Sequence, residues 1–366
     1  MDLFQPVFKQ YKKRHPFPDL KDVIDFKNAK QLTQEIERFS LKDPALPQLV
    51  GLHPVKEWKA YTLNKHPGLY IILNPFESGF ECYWVSQCLD KYSQKPNITN
   101  LDAHIERTED LSIWNDFVKL NRTEITKDDL LWKLRWTTLG YHYNWDTKEY
   151  SDHFTPFPAD LSFLAAYIAA VLGYPQFSAE AGIVNYYHMD STLAGHTDHS
   201  EFDHDAPLIS ISFGQEAIFL IGGVTKETEP SAIFLRHGDI CVMAGASRLA
   251  YHAVPKIIHS DTRPLPTEFP SWLSDHMSCV TPANHTCSFS EEGCLATALT
   301  DQTCSCGSKG CLNMCTDMSL KEINKDIIKT LLELDRNAFD IYLKSSRINV
   351  NIRQVFKPGQ TFPNKR

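Results

Sequence analysis

Five short runs of β-branched and aromatic residues follow one another in the second half of the chain, without a helical pattern between them. They cover residues 181–187, 208–213, 217–221, 232–236 and 240–243, and Gly, Asp and Pro separate them. Several strands without intervening helices form a sandwich or a barrel, because a sheet must bury one face against another layer. The pattern therefore predicts a β-rich core, with a tight turn at Gly238 and Asp239.

Helices are predicted on both sides of these strands, at residues 81–92, 128–136, 158–173 and about 320–344. A short apolar run at residues 69–73 predicts a strand that precedes the first helix. Residues 1–60 mix charged residues with prolines, which indicates an N-terminal extension that is helical or partly disordered.

The last predicted strand, residues 347–353, alternates between two kinds of side chain. One face is aliphatic, and the other carries two arginines and two asparagines: Arg347, Asn349, Asn351 and Arg353. A strand with one solvated face would explain this pattern. A carboxylate-binding site would explain this polar face equally well, since guanidinium groups bind carboxylates bidentately.

Charge and hydropathy limit the partners of the chain. The 366 residues carry a net charge of −8, so a nucleic-acid backbone would need a local basic groove. The most apolar stretch, residues 161–172, is too short for a bilayer span and predicts a buried helix. The N-terminus lacks the apolar core of a signal peptide. We expect an intracellular protein without membrane contact, in the nucleus or cytoplasm, with the mitochondrion as a further candidate compartment.

Residues 195–200 contain a candidate metal-binding motif. His196 and Asp198 are two positions apart, so both side chains project to one side of an extended strand. With a later histidine, His252, they would supply the two imidazoles and one carboxylate of a non-heme Fe(II) site. His188 and Asp190 have the same spacing, and in a chain with 15 histidines such pairs arise by chance. The motif alone does not choose between the two pairs.

Residues 140–146 place three aromatic side chains and one histidine within seven residues, without clean periodicity. This composition favours an irregular loop. Its aromatic rings would either cover the core or stack on an unpaired nucleobase.

Several of these stretches together resemble the AlkB family of Fe(II)/2-oxoglutarate nucleic-acid dioxygenases, and in particular its eukaryotic homologue-one branch. The order and spacing are similar in six segments: residues 181–187, 196–198, 206–214, 237–240, 247–252 and 347–353. The resemblance covers residues 55–258 and 340–356. It implies an α+β fold, with a double-stranded β-helix (jelly-roll) core and N-terminal helices packed on it. The dioxygenase domain would occupy residues 61–356, followed by a tail at 357–366.

The resemblance also implies roles for single residues. His196, Asp198 and His252 match the iron ligands of the family, which favours this set over the pair at His188. The remaining matches concern the cosubstrate 2-oxoglutarate and the nucleotide. Asn185 and Tyr187 match positions that hydrogen-bond 2-oxoglutarate.

On the final strand, Arg347 matches the arginine that pairs with the distal carboxylate of 2-oxoglutarate, and Asn349 lies beside it. Arg353 matches an arginine near the end of the family's pattern that chelates the iron. The nucleotide-recognition lid of the family falls at residues 136–158, with four candidate substrate-binding residues: Trp136, Tyr141, His142 and Tyr143.

The activity implied by the resemblance is oxidative demethylation of N-methylated bases with Fe(II), 2-oxoglutarate and O₂. A hydroxymethyl intermediate would release formaldehyde from N1-methyladenine in tRNA, from N6-methyladenine in DNA, or from both. The expected partner is tRNA or unpaired, locally melted DNA, bound by a monomer. Two alternatives stay open: an oxygenase that acts on a protein (histone) side chain, and a cupin-like binding module without enzymatic activity.

Two features depart from the family pattern. Ser200 stands four residues after His196, where the bacterial prototype has an acidic residue that reads the base, so the base preference of that prototype does not transfer. His252 and Arg347 are 95 positions apart, which indicates an insertion at about 259–319. Four of its cysteines would be zinc ligands or incidental thiols of a loop: Cys304, Cys306, Cys311 and Cys315. Cys287, Cys294 and His285 are alternative ligands of such a site.

Overall fold

The structure is a computed structural model and describes residues 1–28, 36–44, 46–260, 265, 269–273 and 319–362. The four cysteines at residues 304–315, which would be zinc ligands or incidental thiols, lie outside the described residues. The strands of the described part are, in chain order, β1 (Ile36–Phe39), β2 (Lys59–Leu63), β3 (His66–Leu73), β4 (Ile98–Thr99), β5 (Trp136–Asn144), β6 (Glu149–Phe154), β7 (Ala181–His188), β8 (Leu193–His196), β9 (Leu208–Gly214), β10 (Glu216–Ile221), β11 (Ser231–Leu235), β12 (Ile240–Met243), β13 (His252–Ile258) and β14 (Ser346–Arg353). The α-helices are α1 (Phe4–Lys12), α2 (Glu81–Ser86), α3 (Ile113–Lys119), α4 (Leu130–Lys133), α5 (Ala159–Val171), α6 (Leu320–Glu333) and α7 (Arg336–Leu343).

Two antiparallel sheets of unequal size form the centre of the fold. The large sheet has the order β1-β2-β3-β12-β9-β14-β7-β5-β4, with β6 paired to β5, and the small sheet has the order β11-β10-β13-β8. Apolar side chains from both sheets meet in one buried cluster, which includes Leu69, Ile71 and Met243 of the large sheet and Phe219 and Leu235 of the small sheet. This sandwich confirms the predicted α+β, jelly-roll core.

The strand β14 lies in the middle of the large sheet, hydrogen-bonded to β7 on one side and to β9 on the other. Its aliphatic residues, Ile348, Val350 and Ile352, pack into the cluster under the helices. The opposite face lies between the sheets, where Arg347 is only 2% exposed. A solvated face is therefore excluded, and the polar side chains line the interior of the sandwich.

A layer of helices covers the outer face of the large sheet. The helix α5 is apolar almost all round and buries ten of its 13 residues, which confirms the predicted buried helix. Side chains of α2, α3, α6 and α7 join the same cluster, and Trp114 of α3 stacks on Phe339 of α7. These helices therefore fix the large sheet from outside without entering the space between the sheets.

The first residues of the chain cover the small sheet. Phe4, Phe8 and Tyr11 of α1 pack on Ile218 and Leu220 of β10. The Phe4 ring lies so close to Gly195 that a Cβ atom there would come within 2.8 Å of it. Residues 36–39 then add strand β1 to the large sheet. The described parts of residues 1–60 are therefore packed into both layers of the core.

Three local predictions were wrong. The helix predicted at 128–136 is only one turn, α4, because Trp136 already begins β5. The helix predicted at 320–344 is two helices, since Leu334 leaves the helical conformation and Asp335 caps α7 through the backbone N–H of Asn337. The predicted irregular loop at 140–146 belongs to the β5–β6 hairpin. A register shift between residues 141 and 143 interrupts the pairing of these strands, so the sequence does not show a regular alternation.

None of the described helices is long and apolar enough to cross a bilayer. Among the described cysteines, Cys82, Cys88 and Cys241 are buried free thiols.

His66 provides a test of this packing, because the fold buries its imidazole between Gly222 O and Ser231 Oγ. Burial lowers the pKa of His66 from 6.5 to about 4. The His66 imidazole therefore becomes protonated below pH 6.5 in the unfolded chain, but only below about pH 4 in the folded chain. Its contribution to stability is present above pH 6.5 and is lost as the pH falls through this window.

We expect His66→Gln to flatten the pH dependence of the free energy of unfolding between pH 6.5 and 4, by up to about 1.4 kcal/mol per pH unit. Urea unfolding at a series of pH values measures this slope. His259→Gln, at an exposed position, is the matched control and should keep the slope of the original protein. Equal slopes in all three proteins would contradict the prediction.

Candidate metal centre

Two strands of the small sheet bring the predicted iron ligands together. The strand β8 ends at His196, and His252 begins β13 directly opposite it. Asp198 follows two residues later, with its carboxylate 3.5 Å from His252 Nε2 and 4.0 Å from His196 Nε2. One ligand atom from each residue lies within 4.8 Å of the other two. This spacing suits a single metal ion held by two imidazoles and one carboxylate.

Both imidazoles are oriented by backbone carbonyls. The Nδ1 atom of His196 lies 3.0 Å from Ala194 O, and that of His252 lies 3.0 Å from Ala250 O. A carbonyl only accepts, so each Nδ1 carries the proton and donates, which leaves the Nε2 lone pair to face the centre. Burial lowers the pKa of His252 to about 4. The neutral, ligating form of this imidazole is thus present at neutral pH.

Asp198 is held ionised by an arginine from the other sheet. Burial by itself would raise the pKa of Asp198, but the guanidinium of Arg353, followed by His252, lowers it well below its ordinary value. Arg353 Nη2 lies 3.1 Å from Asp198 Oδ2.

The other His-x-Asp pair, His188 and Asp190, has different surroundings. His188 is stacked on Trp132, with ring centroids 3.8 Å apart, and Asp190 is exposed.

The assignment of Arg353 as an iron chelator needs a correction. A protonated guanidinium has five N–H donors and no lone pair to offer a metal. In the structure Arg353 pairs with Asp198 and with Glu201 Oε1, at 3.2 Å. Although burial would lower the pKa of Arg353, the charge of Asp198 raises it above its ordinary value. Arg353 therefore positions the ligand carboxylate and keeps its charge.

Two further charged residues complete this group, and sequence reasoning missed both. Glu201 is 5% exposed, accepts a hydrogen bond from Tyr150 Oη at 2.8 Å, and pairs with Arg248 at 3.0 Å. Arg248 is 1% exposed and donates to the backbone carbonyl of Asp198 at 2.8 Å. Their proximity in sequence to Asp198 and His252 was the available signal, but burial of a charge is not visible in a sequence.

The predicted cosubstrate residues line the interior face of the large sheet. Arg347 lies opposite Tyr187, and Asn349 opposite Asn185, so directly paired strand positions bring all four to one face. Burial raises the pKa of Tyr187 to about 12, so its phenol stays protonated and can donate a hydrogen bond. Asn349 Nδ2 donates to Ser210 Oγ at 2.8 Å.

Arg347 is a buried cation without a carboxylate partner among the described residues. Its two terminal nitrogens donate to Gln215 O, Leu235 O and Ser212 Oγ, whereas its buried Nε finds no acceptor in the described part of the chain. Burial lowers the pKa of Arg347 to about 10, so it stays charged at pH 7. An unpaired buried charge is costly. This geometry leaves a place for an anionic ligand.

The β5–β6 hairpin carries the predicted substrate-binding residues, and the structure separates them into two groups. Trp136 lies opposite Asn185 in the sheet and contacts Trp145, with ring centroids 5.4 Å apart. Trp145 also packs edge-on against Tyr143 and is 45% exposed. These three rings, which we call the aromatic group, offer surface for stacking. Trp145 had no predicted role, although it belongs to the same aromatic run.

Tyr141 and His142 are placed away from that surface. Tyr141 packs among Phe154, Phe356 and Phe362. His142 is only 3% exposed, lies 2.8 Å from Thr138 Oγ1, and stacks on a second histidine. Its ring has no free face for a base in this arrangement, so the prediction of substrate binding by His142 finds no support in the geometry.

Ser200 lies under the turn of the hairpin. Its hydroxyl donates to the backbone carbonyl of Lys148 at 2.8 Å and lies 3.5 Å from Tyr143 Oη. The position that carries an acidic residue in the bacterial prototype therefore anchors the hairpin here.

Comparisons with known proteins agree with this arrangement. The sequence model of a protein family, the 2OG-Fe(II) oxygenase superfamily, matches residues 81–353 of this chain. The mouse protein named nucleic acid dioxygenase ALKBH1 is 40% identical, over 99% of this chain and 86% of its own length. The fission yeast (Schizosaccharomyces pombe) tRNA demethylase abh1 is 35% identical over 71% of this chain and 87% of its own length. The Arabidopsis thaliana protein named DNA N(6)-methyladenine demethylase ALKBH1A is 31% identical over 67% of this chain and 78% of its own length.

Glu201 allows a test of the buried ionic group. Replacing it by Gln leaves two buried arginines without their shared carboxylate, so we expect Glu201→Gln to lower the free energy of unfolding by about 3–5 kcal/mol. Tyr150→Phe removes only a hydrogen bond to the same carboxylate and should cost about 1–3 kcal/mol. Urea unfolding of both variants measures the difference. Equal losses would show that the ionic group does not hold the two sheets together.

Proposed function

The chain belongs to the 2OG-Fe(II) oxygenase superfamily and, within it, to the family of the AlkB homologue 1 nucleic acid dioxygenases; from this membership we propose that it demethylates N-methylated adenine in nucleic acid. The proposed substrates are N1-methyladenine in tRNA, N6-methyladenine in DNA, or both. Among its relatives, the fission yeast protein is named a tRNA demethylase and the Arabidopsis protein a DNA N(6)-methyladenine demethylase.

The observation that carries the proposal is the convergence of the two sheets on one site. His196, Asp198 and His252 offer a ligand set that fits Fe(II), and Arg347 offers a buried cation that fits a carboxylate. The small sheet would thus hold the metal while the large sheet would hold 2-oxoglutarate. We propose Asn185, Tyr187 and Asn349 as neutral donors to the cosubstrate and Arg347 as the partner of its distal carboxylate.

When bound, Fe(II), 2-oxoglutarate and O₂ supply the oxidising power that hydroxylates an N-methyl group, coupled to decarboxylation of 2-oxoglutarate to succinate. The side chains of this protein bind and orient these groups. Asp198 stays ionised beside Arg353, and the carbonyls of Ala194 and Ala250 hold both imidazoles in the ligating tautomer. The hydroxymethyl product then loses formaldehyde without needing a further protein group.

The aromatic group is the proposed contact for the base. A methylated base must leave its stack to reach a buried site, and aromatic rings compensate for the stacking that it loses. Trp136 lies beside Asn185 at the site, and Tyr143 and Trp145 extend this surface outward. The Ser200 hydroxyl is already hydrogen-bonded to the hairpin. Discrimination between methylated bases would therefore depend on these three rings and on the functional groups of the base.

The proposal is tested by incubating the purified protein with Fe(II), 2-oxoglutarate and separate pools of methylated tRNA, single-stranded methylated DNA and histones. Mass spectrometry follows methyl loss and succinate. We expect methyl loss from tRNA, DNA or both, coupled to succinate formation. Turnover that depends on histone, with no methyl loss from either nucleic acid, would overturn the proposal in favour of a protein substrate.

His196→Ala should abolish the coupled turnover, because one of the three ligands is removed from a half-exposed position that tolerates a smaller side chain. Asp190→Asn changes the other His-x-Asp pair at an exposed position and is the control; it should keep full turnover. Circular dichroism of both variants checks that the fold is intact. Unchanged turnover in His196→Ala would contradict the assignment of His196 as a metal ligand.

Arg347→Met should weaken binding of 2-oxoglutarate, because it replaces the buried guanidinium by a shorter, uncharged side chain. We expect the KM for 2-oxoglutarate to rise roughly a hundredfold, which corresponds to about 2.7 kcal/mol. Arg347→Lys keeps the charge but loses the bidentate geometry and should recover part of the affinity. A KM that stays the same in both variants would contradict this role for Arg347.

A further inference from the structure

A cavity outside the metal centre lies beside the start of the β5–β6 hairpin. Its volume is about 540 Å³, and nine residues line it: Asn100, Leu101, His104, Ile105, Lys127, Leu130, Trp132, Lys133 and Arg135. None of them has a role in the proposed binding of iron, cosubstrate or methylated base. The cavity therefore needs an explanation of its own.

The inner lining is apolar and includes an aromatic ring. Leu101 is buried, and Ile105, Leu130 and Trp132 are half-buried. The imidazole of His188 covers one face of Trp132 in a parallel stack, with an angle of 3° between the rings. His188 also lies 2.8 Å from the carbonyl of Trp132, which fixes both rings. A preformed flat apolar surface of this kind suits the face of a base.

The outer lining is cationic. Lys127, Lys133 and Arg135 are exposed, and none of them forms an ion pair with a carboxylate in the described part of the chain. No acidic residue is among the nine lining residues. By contrast, the other described large cavity, of about 600 Å³, contains Asp43 beside Arg38 and Lys56. In a protein with a net charge of −8, three unpaired cations at one rim favour an anionic ligand.

The rim is rigid. Asn100 Oδ1 accepts from the backbone N–H of Arg135 at 2.7 Å and from that of Trp136 at 3.3 Å, and Asn100 Nδ2 donates to Lys133 O at 2.8 Å. The cations at positions 133 and 135 therefore project from a turn that a single side chain fixes. Such preorganisation reduces the entropy lost on binding.

Two features connect the cavity lining to the elements that carry the metal centre. Arg135 immediately precedes Trp136 of the aromatic group, and Arg135 Nη1 lies 3.5 Å from Ser191 Oγ in the loop that leads into β8. Ser191 and His196 are five positions apart, so their Cα atoms are at most about 18 Å apart. A few nucleotides of an unstacked strand cover such a distance.

We infer that this cavity binds an unpaired nucleotide of the substrate strand, a few positions away from the methylated base, with the base on Trp132 and the phosphate on Lys127, Lys133 and Arg135. The inference rests on the proposed function, since it assumes that a nucleic acid strand is the substrate. It implies that the enzyme favours an unpaired stretch over a single unpaired base. It also locates the basic groove that an acidic protein needs.

The test compares a Lys127→Ala, Lys133→Ala, Arg135→Ala triple variant with the original protein. The probes are a single-stranded RNA that spans both sites, with one N1-methyladenine, and a trinucleotide with the same base. Fluorescence anisotropy over a range of salt concentrations gives the Kd of the long strand. Loss of three phosphate contacts should raise this Kd at least tenfold at low salt and reduce the salt slope by about two.

Kinetics separate this role from a structural one. The KM for the long strand should rise while kcat stays unchanged, and both constants for the trinucleotide should be the same in the two proteins. Succinate formation without nucleic acid checks the metal centre and should not change. The matched control removes the same number of charges by combining Lys21→Ala, Lys65→Ala and Lys119→Ala, which are exposed and do not line the cavity; it should bind the long strand like the original protein.

An unchanged Kd and salt slope in the triple variant would overturn the inference, and so would an equal effect in the control. Failure of the proposed function gives a different result: the original protein would then remove no methyl group from either probe, while the binding assay would still report on the cavity.

Discussion

The ion pairs between the two sheets are the interactions on which the candidate site depends. Arg353 belongs to the large sheet, Asp198 follows the small sheet, and their charged groups meet at 3.1 Å. Glu201 and Arg248 balance the remaining charges, so the group of four is neutral overall; Glu201, Arg248 and Arg353 are buried, and the Asp198 side chain is 16% exposed. Such a group is stabilising only when every member has its partners. The position of the ligand carboxylate is therefore tied to the packing of one sheet on the other.

This arrangement divides the chemistry between the layers. The small sheet supplies both imidazoles at the facing ends of β8 and β13, and the large sheet supplies Arg347, at the start of β14, and its polar neighbours. The described helices contribute no ligand: α2, α3, α5, α6 and α7 pack on the outer face of the large sheet, and α1 packs on the small sheet. The hairpin that carries the aromatic group is an extension of the same sheet through β5. The proposed contacts to substrate and cosubstrate therefore lie on one sheet.

The sequence was sufficient for the features that depend on short-range pattern. Alternation in β14, the strand runs from 181 to 243 and the apolar helix α5 all appear in the structure, because side-chain periodicity reports directly on burial. Patterns that depend on distant partners were not predictable. The strand β5 is interrupted by a register shift, His142 is buried by packing that comes from other strands, and Glu201 is charged yet buried only because two arginines reach it. The family resemblance proposed the ligands, but not the network around them.

The position of β14 has a consequence for the biosynthesis of the protein. This strand lies between β7 and β9, although it is made more than a hundred residues after them. While a ribosome is still adding those residues, β7 and β9 have unpaired edges that face each other across a gap. The same strand carries Arg347 and Arg353, so a nascent chain can hold the ligand histidines and still lack the cations of the site. Premature termination before residue 346 would leave an open, aggregation-prone sandwich rather than a weaker enzyme.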